Sequence, residues 1–429
     1  MGVRTATASA AARARARTRG GARVHIARRA GIGVALAAAV AGWLIAAYFL
    51  WQTVVPEGLE LPDVEQTTLF PTSTISQAES YERFVRWDFV LVQLVVIAAV
   101  AVYAKIGPKF VRESAAGPIG TGMLLAMLGL GLIWLLQLPF GLAELWWQRR
   151  HEVTDASYYE WIVGGWFGLG AEFLFICLAI LIVVGFARLL GDWWWLPGGA
   201  AFVALAALFA FLLPYLIPGQ EPLRRPALQA AANSYEEHLG LDDIPIKVQD
   251  VSGETTLPNA EAVGMGPTRR VILWSTILRR PFTLDEQEVV VAHELGHHAR
   301  SHIFKGVAWY ALFAIPGAFV ISRITRRRGG MRNPEAVPLG LLALVVLSTI
   351  ALPVQNVITR HMEAEADWVA LTLTRDPQDA EGLFRRFTFA AHADPSPPTW
   401  SYILMETHPT GLQRIEMARA WQAREQPSP

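Results

Sequence analysis

Residues 289–324 read VVVAHELGHHARSHIFKGVAWYALFAIPGAFVISRI. The second part, residues 303–324, is an apolar run, and a helix needs about 20 such residues to cross a bilayer core. The first part holds His293-Glu294-Leu295-Gly296-His297, two histidines four apart with a glutamate beside the first. A helix with metal-ligand spacing therefore runs straight into a membrane span, and the rest of the chain is read outward from that junction.

Six further stretches are apolar enough to span: residues 31–51, 88–104, 120–142, 161–190, 194–217 and 337–358. Pro316 and Pro353 fall inside spans, where neighbouring helices and local adjustments can re-satisfy the freed backbone groups. Composition agrees, since 53% hydrophobic and 17% charged residues with a mean hydropathy of +0.31 exceed what a soluble surface tolerates. Trp146-Trp147 and Trp193-Trp194-Trp195 have the character of interface anchors. The expectation is a mainly α membrane protein with about seven transmembrane helices, multi-pass in the cell membrane.

A net charge of zero excludes a globally basic nucleic-acid binder. Cys177 stands alone, which excludes an intramolecular disulfide and a cysteine-built zinc site. Residues 1–30 are rich in Arg and Ala and are read as a disordered arm. A cleavable signal peptide fits less well, because the following apolar run is long and has no persuasive cleavage site.

This divides the chain into the arm, spans one to five within 31–217, an insert at 218–302, spans six and seven within 303–358, and a tail at 359–429. The insert contains a helix over 226–239 closed by Gly240, then strand-like runs at 244–251 and 270–274. Thr283-Leu284-Asp285-Glu286 is a capping box opening the helix that carries His293.

Histidines at i and i+4 lie one above the other on a helix, so both imidazoles can reach one ion. Glu294 projects about 100° away and is placed to act on a water at the metal rather than to ligate. The alternative is a polar interfacial helix with no metal. A catalytic zinc needs a third protein ligand. The tail offers Glu363, with Asp367 one turn on to orient a ligand imidazole. Alternatively these carboxylates begin a solvated acidic helix.

Taken together the motifs resemble the integral-membrane CAAX prenyl proteases and their bacterial membrane relatives, zinc endopeptidases of the gluzincin group. The resemblance rests on His293 to His297, on Glu363 to Asp367, on Asn259-Ala260 upstream with Gly264 and residues 270–273 after it, and on His408-Pro409 with Arg414 following. It implies a gluzincin-like zinc peptidase domain of helices plus a small β-sheet, built from the insert and the tail. It further implies one Zn²⁺ per chain on His293, His297 and Glu363, Glu294 as general base, and Asp367 behind a ligand. By the same resemblance His408 points at the developing oxyanion, and Asn259 and Ala260 line a substrate that adds as a strand to an exposed sheet edge. Arg414 is read as a salt-bridge partner of the site. Residues His298, His302, His361 and His392 are assigned no ligand role, His298 being placed at the surface or interface, and Glu365 fits the spacing less well than Glu363.

The expected function is peptide-bond hydrolysis on peptide or membrane-protein substrates in the bilayer, with no nucleic-acid partner. A processing enzyme for lipid-modified substrates and a catalytically silent zinc-binding scaffold or transporter are the other readings. On topology two criteria disagree. The positive-inside rule puts the arm, the Lys105, Lys109 and Arg112 loop, and the Arg323 to Arg332 loop in the cytoplasm, leaving the insert and tail outside. The resemblance implies a cytosolic metal site.

Overall fold

The computed structural model describes residues 33–111 and 116–425, so the Arg-rich arm and Arg112 lie outside the described residues. The chain forms two units, Met1–Gln52 and Thr53–Pro429. The first unit contains α1, Gly33–Leu50, whose apolar side chains are largely exposed, as lipid-facing surface is.

The second unit begins with a short α2 (Gln66–Leu69) and the long helices α3 (Thr72–Ile106), α4 (Gly117–Arg150), α5 (Tyr158–Leu190) and α6 (Trp195–Leu216). The insert follows with β1 (Gln220–Pro222), α7 (Pro226–Leu239), β2 (Ile246–Gln249), β3 (Ala260–Val263), β4 (Arg270–Trp274) and α8 (Leu284–Ala299). Then come α9 (His302–Thr325), α10 (Val337–Thr374), α11 (Pro377–Ala390), α12 (Thr399–Met405) and α13 (Gly411–Glu425).

Helices α1, α3, α4, α5, α6, α9 and α10 are long and apolar enough to cross a membrane, giving the seven expected spans of a multi-pass membrane protein. Leu94, Leu174 and Ile350 are 61%, 75% and 67% exposed, an arrangement that lipid tolerates and water penalises. Close helix approach uses small residues: a Cβ on Gly199 of α6 would lie 3.3 Å from the Ile315 Cα of α9.

One end of the bundle gathers its basic turns. Asp192, between α5 and α6, pairs with Arg326 after α9 at 2.7 Å, and Gly107 after α3 packs on Pro338 at the start of α10. The insert and the end of α10 lie at the opposite end, because α6 and α10 both run away from those turns.

Two helices outrun their predicted spans by more than four turns. Helix α3 starts at Thr72 rather than Asp88, and α10 continues through residue 359 to Thr374 without a break. Hydropathy marks where lipid ends, whereas backbone hydrogen bonding carries on through polar turns. At 38 residues α10 is about 57 Å long, nearly twice the bilayer core.

Outside the bundle, the sheet has the order β1-β2-β4-β3, with β2 and β4 parallel and the outer pairs antiparallel. Strand β3 is therefore an edge, in register Ala260 to Leu273 and Val263 to Arg270. Strand β2 is shorter than the predicted 244–251. Pro245 has no N–H to donate, and Asp250 bonds the Ser252 N–H and the Ser275 hydroxyl, turning the chain out of the ladder. Gly264 ends β3 at φ +88, where a Cβ would meet the Thr268 carbonyl oxygen at 2.2 Å.

Insert and tail share one hydrophobic core. It joins Val271 and Leu273 of β4, Val291 and Leu295 of α8, Leu371 of α10, Leu383 of α11 and Trp421 of α13, all 2% exposed or less. Val64, Leu69 and Phe70, from the connection before α3, are buried in the same core. That connection packs with the insert and the tail, although the sequence reading placed it among the spans.

Candidate metal centre

Thr283 opens α8 as the sequence indicates. Its hydroxyl accepts from the Glu286 N–H at 3.1 Å, and the Glu286 carboxylate accepts from the Thr283 N–H at 2.9 Å. The apolar face of α8 docks in the core, which turns His293 and His297 toward α10. The helices approach closely at Gly296, where a Cβ would lie 3.2 Å from the Val369 Cβ.

The His293 and His297 Nε2 atoms are 3.0 Å apart. Glu363 Oε2 lies 3.2 Å from His293 Nε2, and Glu363 Oε1 lies 3.6 Å from His297 Nε2. Donor atoms from these three residues all fall within 4.8 Å of one another, and His293 and Glu363 are buried. Two imidazoles and a carboxylate converging this way suit a divalent metal with an open position.

Each imidazole is held from behind. Nδ1 of His293 faces Asp367 Oδ1 at 2.9 Å, and Arg414 grips Asp367 through Nε at 2.8 Å and Nη2 at 2.6 Å. The Arg414 guanidinium also stacks 4.1 Å from the Phe384 ring centre. For His297 the partner is His302, with Nδ1 to Nδ1 at 2.8 Å, and His302 Nε2 donates to Glu365 Oε2 at 2.9 Å. If His297 presents Nε2 to the metal, its Nδ1–H donates to His302 and a proton on His302 Nε2 goes to Glu365, so the chain of tautomers is self-consistent. Glu365 is fully buried and accepts from Arg300 at 2.7 Å, Lys305 at 3.0 Å and the Val54 N–H at 3.0 Å.

Glu294 is buried beside the ligands and its carboxylate accepts the Ala262 N–H of edge strand β3. Burial raises its pKa above the usual carboxylate range, with the two histidines opposing that shift. His408 Nε2 is 3.3 Å from Glu363 Oε2, and its ring is half exposed at the cavity mouth. A cavity of about 430 Å³ joins Asn259, Ala260, Glu294, His408 and Arg414 to the three donor residues. Asn259 is fixed by its carbonyl, which accepts from the Trp274 N–H at 3.0 Å.

Every site residue read from the sequence is thus brought to one cavity. Three remote histidines also find their places. His392 packs on the Tyr81 ring, and neither it nor His361 lines the cavity. His298 is not at the surface: it is buried, donates from Nε2 to the Arg270 carbonyl at 3.0 Å, and burial pushes its pKa down to about 4. Reading by spacing missed His302 and Glu365, because His302 also begins a span and its partner lies on another helix.

Comparison with known proteins follows this geometry. Residues 222–422 match the model of peptidase family M48. The chain is 27% identical over 241 residues to the uncharacterized metalloprotease YhfN of Bacillus subtilis, covering 52% of this chain and 56% of that one. It is 23% identical over 252 residues to the CAAX prenyl protease 1 homolog of Oryza sativa subsp. japonica, covering 56% and 58%. The match thus spans little more than half the length of these curated relatives. The fold is that of the crystal structure of S. mikatae Ste24p, with a TM-score of 0.68 at 17% identity over 88% of this chain and 96% of that one.

Proposed function

We propose, from the match of residues 222–422 to peptidase family M48, that the chain is a member of that family and a membrane-embedded zinc metalloendopeptidase acting on extended peptide or membrane-protein segments. One observation carries the reading. The donor atoms of His293, His297 and Glu363 converge within 4.8 Å, and the same cavity contains buried Glu294 and the free edge of β3.

His293, His297 and Glu363 would hold one zinc per chain. When bound, zinc supplies Lewis acidity toward the scissile carbonyl and toward water. The residues do the rest. Glu294 takes the proton of the attacking water and hands it to the leaving amine, a task suited to a carboxylate whose burial raises its proton affinity. His408 offers an imidazole N–H to the oxyanion of the tetrahedral intermediate. Asn259 and Ala260 begin the edge strand to which the substrate main chain adds, a mode tolerant of sequence. Asp367 with Arg414, and His302 with Glu365, fix the two imidazoles in their ligating tautomers.

The test uses purified full-length protein in detergent and internally quenched peptides. Hydrolysis stops with chelator and returns with zinc. Glu294→Gln keeps one zinc and loses about 10²- to 10⁴-fold in turnover. Full activity in zinc-loaded Glu294→Gln, or undiminished zinc in Glu363→Ala, contradicts the assignment. Prenylated and bare forms of one peptide, compared side by side, decide whether a lipid on the substrate is read.

A further inference from the structure

Two helices of the tail frame the loop that carries His408: α12 ends at Met405 and α13 begins at Gly411. The His408 ring is half exposed, so packing alone does not fix it. Its Nδ1 lies 3.0 Å from the Thr407 hydroxyl, and donation there leaves the proton on Nε2, the atom 3.3 Å from Glu363 Oε2. These neighbours orient the ring. Where the ring stands is decided by the backbone of residues 406–410.

That backbone is tied at its first end to α10. An α-helix leaves its last four carbonyls without intrahelical partners, and for α12 these belong to residues 402–405. Two of them are satisfied from α10. Arg360 Nη1 donates to the Tyr402 carbonyl at 2.8 Å, and the Asn356 side-chain amide donates to the Ile403 carbonyl at 3.2 Å. The same Nη1 also donates to the carbonyl of Glu406, the first residue of the loop. Arg360 is buried, and its guanidinium lies 4.3 Å from the Tyr402 ring centre. A cation directed at helix-terminal carbonyls is favoured by their partial negative charge.

The second end is tied through the same tyrosine. The Tyr402 hydroxyl donates to Gln413 Oε1 at 2.7 Å, and that oxygen also accepts the Thr410 N–H at 3.0 Å. The Thr410 hydroxyl in turn accepts the Gln413 N–H at 3.2 Å, which completes a capping box at the start of α13. Contacts therefore run from Arg360 to Tyr402, Gln413 and Thr410, and they bracket the loop from both sides. Arg360 also stands one turn before Glu363 on α10, so one helix both carries a candidate ligand and seats the His408 loop.

We propose that Arg360 is a positioning residue, which by capping α12 from α10 holds His408 where its imidazole meets the oxyanion. This rests on the peptidase reading of His408 and deepens it. Arg360 is not among the described residues that line the metal cavity, so its effect on the reaction passes through His408.

The test uses Arg360→Gln, His408→Ala and their double variant in full-length, zinc-loaded protein with internally quenched peptides. Arg360→Gln is expected to lose about 10- to 100-fold in kcat, with KM and zinc stoichiometry unchanged. In the His408→Ala background the same change is expected to cost less than about twofold, because the group it positions is gone. An equal loss in both backgrounds, full kcat in Arg360→Gln, or a loss that follows zinc release overturns the proposal. Tyr402→Phe is a milder entry to the same cycle and decides it should Arg360→Gln not fold. Its expected loss is about threefold where His408 is present and none where it is absent, and equal losses again overturn the proposal. Anchoring is also read without turnover, by hydrogen exchange of residues 402–410 in the metal-free protein. Exchange there is expected to rise by about tenfold in Arg360→Gln, and unchanged exchange overturns the proposal. Wild type that cleaves nothing rejects the peptidase reading, while exchange still decides whether Arg360 holds the loop.

Discussion

His302 Nδ1 lies 2.8 Å from His297 Nδ1. The first residue of a membrane helix thus holds a candidate metal ligand five positions earlier, and buried Glu365 holds His302 in turn. Removing this support leaves the ligands in place but loosens one of them. His302→Ala is expected to lower zinc affinity by about 10- to 100-fold while retaining the fold. A competition titration against a chromophoric chelator reads this, and wild-type affinity in the variant would show that His302 does not position His297.

Proton competition should be visible at the same centre. Burial alone would lower the pKa of His293, but its hydrogen bonds to Asp367 and Glu363 outweigh that and raise it to about 10. With the value raised, metal must displace a proton throughout the neutral range. Apparent zinc affinity should then rise about tenfold per pH unit from pH 6 to 9, one proton leaving per metal bound. An ordinary histidine would give a plateau above pH 7, and such a plateau would refute the coupling.

The Arg414 and Asp367 pair is buried and bidentate, so truncating one partner strands the other's charge. Arg414→Ala is expected to destabilise the domain by about 3 to 5 kcal/mol. Arg414→Lys keeps the charge without the fork and should fall between. Thermal inactivation in detergent, followed by zinc release, ranks the three proteins. Equal midpoints would mean that Arg414 contributes no more than a surface contact.

The basic turns collected at one end of the bundle give a testable expectation of membrane orientation. With Arg323, Arg326, Arg327, Arg328 and Arg332 there, the positive-inside rule places that end in the cytoplasm and the metal centre on the opposite face. Single cysteines at Arg327 and Arg224, with Cys177→Ser as background, give opposite labelling by an impermeant thiol reagent on intact cells. Labelling only the Arg327 site would reverse the orientation.

Much of the centre was readable from the chain because its rules are local. His293 with His297, and Glu363 with Asp367, are each one helical turn apart, and the capping box at Thr283 fixes where that helix begins. What stayed hidden is non-local. The His302 and Glu365 contact joins residues 63 apart, and the carbonyl that accepts from His298 lies 28 residues away. Val64, Leu69 and Phe70 carry no periodic signal in so short a connection, so only packing reveals that they belong to the core. Membrane spans were legible as lipid-soluble stretches, but polar turns extending α3 and α10 were not.

That extension of α10 joins Glu363 mechanically to the lipid. About ten residues, or 15 Å of helix, separate Pro353 from Glu363. A 5° change in tilt over that lever would carry the carboxylate about 1.3 Å sideways, well beyond the roughly 0.2 Å tolerance of a metal bond. A change of bilayer thickness that altered the tilt of α10 would thereby alter how Glu363 meets the two imidazoles, and the same protein reconstituted in thin and thick membranes would bind zinc with different strength.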